Sequence, residues 1–131
     1  MFESIGLTWA PRLLSVLRIM TGLLLLQHGL GKLLHFPVVP AYAKLMINSM
    51  PGYAGFIELI GGALLVLGLF TRPAAFIVSG MCAVGYFTVH APRGFFPILN
   101  GGELITLYCF VALYIAAAGA GPWSIDAARK K

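Results

Sequence analysis

The sequence predicts an all-α protein: an antiparallel bundle of four transmembrane helices, with a short interfacial helix between the first and second. Three observations carry this reading. Of 131 residues, 60% are hydrophobic and only 10% charged, whereas a soluble domain carries about 25% charged residues. The mean hydropathy is +0.91, and a soluble chain of this size has too much surface to leave so little of it charged. Finally, the apolar residues fall into four runs separated by Pro- and Gly-containing turns. Each run is close to the roughly 20 residues that a membrane span needs.

Residues 1–11 read as a short amphipathic lead-in, with Trp9 and Pro11 suited to the interface and Pro11 to a first helical turn. The first helix is expected over about 12–34. Its apolar run follows Arg12, but no small-x-small cleavage site interrupts it, so it is expected to be retained rather than removed as a signal peptide. Prolines 37, 40 and 51 bound a connector in which residues 41–49 could lie as an interfacial helix, anchored by Tyr42 and Lys44. The second helix is expected over about 52–70, with Glu58 its only charge. Its glycines at 55, 61, 62 and 68 permit close backbone approach. Thr71-Arg72-Pro73 is a tight turn into a third helix over about 74–90. A turn-rich stretch, 91–97, leads to a fourth helix over about 101–118, capped by Asn100 and stopped by Gly119-Ala120-Gly121-Pro122.

The net charge of +5 does not form a nucleic-acid patch, because Lys and Arg are scattered singly except at Arg129-Lys130-Lys131. On membrane helices such residues are a topology signal first. Four spans place both termini on one side, with Arg12, Arg18, Arg72, Arg129, Lys130 and Lys131; the opposite side has Lys32, Lys44 and Arg93. The expectation is a multi-pass protein of the plasma (inner) membrane with both termini cytoplasmic. Cys82 and Cys109 lie in separate apolar runs without a CxxC pair, so neither a thioredoxin-type site nor a zinc knuckle is indicated.

Charged groups at bilayer depth cost at least roughly 2.5–3.5 kcal/mol each and are functional candidates by default. The stretch Leu17–Leu34 carries Arg18, Gln27, His28 and Lys32. In an alternating bundle the end of helix 1, start of helix 2, end of helix 3 and start of helix 4 meet at one leaflet. Gln27, His28, Lys32, Glu58, Tyr86, His90, Asn100 and Glu103 therefore fall within roughly 10 Å of the outer surface, with Arg93 at the same level. His28 with Lys32 and Tyr86 with His90 are i, i+4 pairs; Asn100 with Glu103 is i, i+3. Intramembrane carboxylates are tolerable when paired. The residues leave three readings open: a polar clasp that fixes helix order, a pocket for a small polar ligand, proton or quinone headgroup, and a metal or haem site on His28 and His90. No ExxH or HExxH spacing supports the last. Arg18 lies some 20 Å deeper. It either snorkels to cytoplasmic headgroups or holds an anionic partner or carbonyl cluster, with Asp126 in reach if the tail folds back.

Taken together, several segments resemble the DoxX family of small four-helix membrane proteins. They are Leu17-Arg18 with Gln27-His28-Gly29-Leu30-Gly31-Lys32; Glu58-Leu59-Ile60-Gly61-Gly62 through Gly68-Leu69-Phe70-Thr71-Arg72-Pro73-Ala74; Asn100-Gly101-Gly102-Glu103; and Gly121-Pro122-Trp123-Ser124-Ile125-Asp126. They cover nearly the whole chain as a single domain. The resemblance implies a component linked to terminal oxidation and thiosulfate:quinone oxidoreduction, although some relatives look like assembly factors. The residues offer no nucleotide-binding loop, flavin fingerprint or cysteine pair, so electrons would have to come through a bound quinone, a cofactor or a redox-protein partner.

Two functional expectations follow. In the first, the chain is part of a membrane oxidoreductase system. His28, Glu58, His90 and Glu103 move protons, and Arg18, Gln27, Lys32, Tyr86, Arg93 and Asn100 bind ligand, with Lys32 or Arg93 attracting an anion such as a sulfur oxyanion. In the second, it is a non-enzymatic accessory subunit or homodimer, and the polar layer is a clasp or docking site. A solute transporter is less favoured, since there is no inverted repeat or broken helix. Both expectations place the chain in a lipid bilayer, and neither involves nucleic acid.

Overall fold

The computed structural model describes residues 1–130; Lys131, counted above in the basic tail, lies outside the described residues. Every regular element among the described residues is helical: α1 Phe2–Leu33, α2 Met50–Leu67, α3 Thr71–Gly85, the single turn α4 Pro97–Asn100, α5 Glu103–Ala118 and α6 Ile125–Arg129. A π-helical turn, Tyr86–His90, and a 3-10 turn, Ala91–Arg93, prolong α3. α1, α2 and the prolonged α3 are long and apolar enough to cross a membrane, and α5 is a shorter apolar helix of 16 residues.

Side chains are distributed as lipid demands rather than as water demands. Phe76, Ile77, Phe87, Leu107 and Phe110 point outward, while Ser15, Arg18, Thr21, Glu58, Thr71, Ser79 and Asn100 are buried. In hydrocarbon an outward apolar side chain costs nothing, whereas every polar group must find an internal partner.

Small residues bring α1 against α2. A Cβ added at Gly22 would lie 2.7 Å from the Val66 nitrogen, one at Gly62 2.8 Å from the Leu26 nitrogen, and one at Gly29 2.5 Å from the Leu59 nitrogen. Residue 22 meets 62–66 while residue 29 meets 55–59, so the two helices run antiparallel. α3 and α5 also pair antiparallel. Arg72 donates to the Ala116 and Ala117 carbonyls, Ser79 Oγ donates to the Cys109 carbonyl at 2.8 Å, and Gly85 faces Ile105. Leu25, Leu65, Ala75, Val78, Cys82, Tyr108, Ala112 and Ile115 form the apolar core between the pairs.

Several boundaries differ from the sequence reading. α1 starts at Phe2, so residues 2–11 extend the first helix and Pro11 sits inside it. Before Pro11, Ser4 and Thr8 turn their hydroxyls back onto the Met1 and Ser4 carbonyls, and Pro11 removes one amide from the ladder without ending the helix. The interfacial helix expected over 41–49 is a single 3-10 turn, Pro40–Tyr42, followed by turns. Ser49 caps α2 by accepting the Gly52 amide. α2 ends at Leu67 because Gly68 turns left-handed (φ 67°), and α3 accordingly begins at Thr71. α5 begins at Glu103, two residues late; its N-cap is Gly102, and Asn100 instead closes the preceding turn.

Candidate ligand site

One turn of α1 separates His28 from Lys32, and both face the N-terminal half of α2. Lys32 Nζ pairs with Glu58 Oε1, and Glu58 is only 4% exposed. The Lys32 ammonium also stands 5.5 Å over the Tyr42 ring. His28 Nδ1 lies 3.1 Å from Tyr42 Oη, and its ring meets Tyr108 edge-on at 6.3 Å. Together with Cys82, His90, Leu104 and Ile105 these side chains line an open-sided cavity of about 280 Å³. Among the described residues the Tyr108 hydroxyl and Glu58 Oε2 make no hydrogen bond within the chain, while the fully buried side-chain oxygen left without a partner is Thr71 Oγ1, at the start of α3. Tyr108 and Glu58 both line the cavity.

His90 reaches the cavity from the π-helical turn, a distortion found often at functional sites. Its Nδ1 is 3.0 Å from the Asn100 carbonyl oxygen. Asn100 is buried, and its amide donates to Tyr86 Oη at 3.1 Å and to the Gly94 carbonyl at 2.9 Å. Its own side-chain oxygen accepts the Gly102 amide at 2.8 Å. Tyr86 stacks against the His90 ring at 6.3 Å. Asn100 and Tyr86 thus hold His90 from behind.

Of the ten residues singled out in the sequence, His28, Lys32, Glu58 and His90 come together around the cavity, and Tyr86 and Asn100 support them. Four are placed elsewhere. Glu103, Gln27 and Arg93 are exposed and do not line the cavity. Glu103 is five residues before the inward-facing Tyr108, about 140° around the helix, and Gln27 is about 100° from His28. Arg93 lies in the 3-10 turn beyond His90.

Arg18 is the fourth, and it does not snorkel: it is 0% exposed. Its Nε donates to the Leu65 carbonyl at 2.8 Å, Nη2 to the Trp123 carbonyl at 2.7 Å, and Nη1 to the Ala120 carbonyl. It stands ten residues, about 15 Å, from His28 along α1, so it belongs to a clasp on the tail and not to the cavity. Ser15 Oγ, one turn away, accepts the Trp123 amide at 3.1 Å. Asp126 answers a different need, accepting the Phe70 and Thr71 amides at 3.0 and 2.9 Å at the start of α3. Burial alone would raise the Asp126 carboxyl, but these amides and nearby Arg129 outweigh it and hold the carboxyl below its usual range.

Three cavity residues with ionisable side chains were not assigned to the site from the sequence: Tyr42, Cys82 and Tyr108. Tyr42 reads there as an interfacial anchor and Cys82 as packing, and Tyr108 carries no signal beyond its place in an apolar run. Among the described residues, no group of three or more His, Cys, Asp or Glu side chains is placed to share a metal ion.

Three helices long and apolar enough to cross a membrane, with large apolar side chains turned outward, define a small integral membrane protein. The chain belongs to the DoxX family, whose profile matches residues 13–91. A protein of Haemophilus influenzae described as uncharacterized is 43% identical over 122 residues, 90% of this chain and 91% of its own length. A second from the same organism, also described as uncharacterized, is 34% identical over 74 residues, 56% of this chain and 49% of its own. No solved structure matches.

Proposed function

We propose that the chain is a component of a quinone-linked membrane oxidoreductase system and that the cavity takes the quinone headgroup. The observation that carries this reading is a charge-balanced, ring-sized cavity with an unpartnered hydroxyl. A volume of about 280 Å³ exceeds the roughly 150 Å³ that admits a benzene ring. The Lys32 charge is answered by Glu58 and Arg93 is outside, so nothing there favours an anion over a neutral ring. A neutral ring therefore suits the cavity better than a sulfur oxyanion. His28, Tyr42, His90, Tyr108 and the Lys32–Glu58 pair are protonatable or hydrogen-bonding groups. They bind the ring and hold or move its protons, while a redox-active partner subunit supplies or takes the electrons.

In this reading α1, α2, α3 and α5 cross the plasma membrane as a four-helix bundle. Both termini are cytoplasmic by the excess of Lys and Arg at that end. The cavity then lies toward the outer leaflet, where a lipid-soluble quinone enters laterally.

An azido-quinone used as a photolabel on the reconstituted protein tests the site. Label is expected on peptides carrying Tyr42, Cys82 or Tyr108; label confined to other segments, or none displaced by excess quinone, refutes it. The buried Lys32–Glu58 pair specifically favours a second reading, a non-enzymatic accessory subunit clasped by that pair. The double variant Lys32→Met/Glu58→Met separates the two. A folded protein that no longer binds quinone supports the site, and one that loses partner association while still binding quinone supports the clasp.

A further inference from the structure

We propose that the cavity distinguishes the oxidation states of its ring, taking the hydroxyl-bearing hydroquinone in preference to the quinone, and that His90 is the residue that makes the distinction. This rests on the quinone reading above.

A carbonyl oxygen can only accept a hydrogen bond. His90 Nδ1 lies 3.0 Å from the Asn100 carbonyl oxygen, so Nδ1 carries the hydrogen. In the neutral ring the remaining nitrogen, Nε2, is then an acceptor only. The choice of tautomer is built in rather than left to the ligand. Asn100 is fixed on three sides by Tyr86, Gly94 and Gly102, and Tyr86 stacks on the imidazole, so neither partner can turn easily. Because His90 lines the cavity with Nδ1 engaged, Nε2 is the nitrogen left to meet a ligand. Glu58 Oε2 is a second acceptor there, since the other carboxylate oxygen is taken by Lys32.

A quinone ring carries only acceptor oxygens, and placing one against an acceptor nitrogen leaves both unsatisfied. A hydroquinone places an O–H there. A site built to receive a hydroxyl rejects the analogue that lacks it, because its buried polar groups are left unpaired. The Tyr42 and Tyr108 hydroxyls can donate or accept, and Lys32, whose ammonium keeps two N–H beyond its bond to Glu58, only donates. A hydroquinone oxygen can accept from Lys32 and still donate to His90, whereas a quinone oxygen can only accept, so these donors do not reverse the preference.

The test uses the full chain in lipid nanodiscs, anaerobically at about pH 8, where imidazole in water is neutral. The probes are tetramethylhydroquinone, tetramethylbenzoquinone and the dimethyl ether of the hydroquinone, measured by calorimetry. The hydroquinone is expected to bind roughly tenfold more tightly than either of the others, the scale of one well-made hydrogen bond. His90→Phe should remove most of that preference, and His90→Gln, which keeps an acceptor, should retain much of it. Equal binding of all three probes overturns the proposal while leaving the quinone reading standing. So does a full preference surviving in His90→Phe. If no probe binds, both fall. The ether comparison needs no variant, so a His90 substitution that fails to fold does not remove the test.

Discussion

Replacing Arg18 by Met tests whether a guanidinium buried among carbonyls is what ties the tail to the helices. The Met side chain fills much of the space but donates nothing. Of the three carbonyls that Arg18 satisfies, Leu65 also accepts the Gly68 amide, whereas those of Ala120 and Trp123 have no other partner among the described residues. Two orphaned carbonyls at about 1–3 kcal/mol each give about 2–6 kcal/mol of destabilisation. Relief from no longer burying a charge offsets part of this, so a net loss of about 3 kcal/mol is expected, roughly a hundredfold in the unfolding equilibrium. Arg18→Lys should recover less than half, because one ammonium cannot span three acceptors as a planar fork does. SDS titration from mixed micelles measures the stability. Trypsin cleavage at Arg129 and Lys130 measures release of the tail. An Arg18→Met protein within about 0.5 kcal/mol of the parent, with the tail equally resistant to trypsin, would refute the reasoning. Ligand binding in the cavity, about 15 Å away along α1, should be unchanged in either variant.

Other perturbations probe the remaining contacts. Glu58→Gln leaves the Lys32 charge buried and unanswered and should cost about 3–5 kcal/mol in the same titration, while Lys32→Met/Glu58→Met should lie within about 1 kcal/mol of the parent. Gly29→Val must push α1 off α2, since even a Cβ would lie 2.5 Å from the Leu59 nitrogen; a loss of at least about 1–3 kcal/mol is expected, and unaltered stability would mean the helices do not meet there. Asp126 gives a pH signature. Its folded carboxyl lies below the ordinary 3.8, so the stability it contributes is present above that value and is lost as pH falls below it toward the lower value of the folded carboxyl. The difference between the parent and Asp126→Asn should therefore hold at about pH 5 and above and shrink as pH falls below about 4, read in the same titration carried out at each pH.

The long apolar runs announced the helices, and the i, i+4 spacing of His28 with Lys32 announced one polar face. Depth along each helix follows from position in the chain, which is why Lys32, Glu58, His28 and His90 could be brought to one level before any coordinates. Face does not follow so simply. Glu103 sits at the right depth and points outward, because α5 is oriented by Tyr108, Ala112 and Ile115 facing the core. Arg18 was hard to read for another reason: its partners are carbonyls, which every residue possesses and no sequence pattern marks. Asn100 reads as a helix cap, but its work is to fix the loop carbonyl that holds His90. Tyr42 depended on how a proline-rich connector turns back over α1.

The two inward-facing cations of α1, buried Arg18 and part-buried Lys32, are answered differently, and the difference divides the molecule. Arg18 is held by carbonyls, whose charge never changes and whose positions are fixed by helix ends. Lys32, about 21 Å further along, is held by a carboxylate that can accept a proton. A carbonyl clasp gives permanence: it suits the join of α1, the end of α2 and the tail, and offers no chemistry. A carboxylate–ammonium pair beside two imidazoles and two phenols can exchange protons with whatever occupies the space between them. If the molecule were only a structural adaptor, carbonyls or apolar packing would serve at both ends at lower desolvation cost. The open groove near Arg18, lined by Ala10, Leu13, Leu14, Val16, Leu17, Met20 and Tyr114, holds no charged side chain, whereas the costlier arrangement lines the cavity at the Lys32 end, and that difference favours a ligand site over a clasp there.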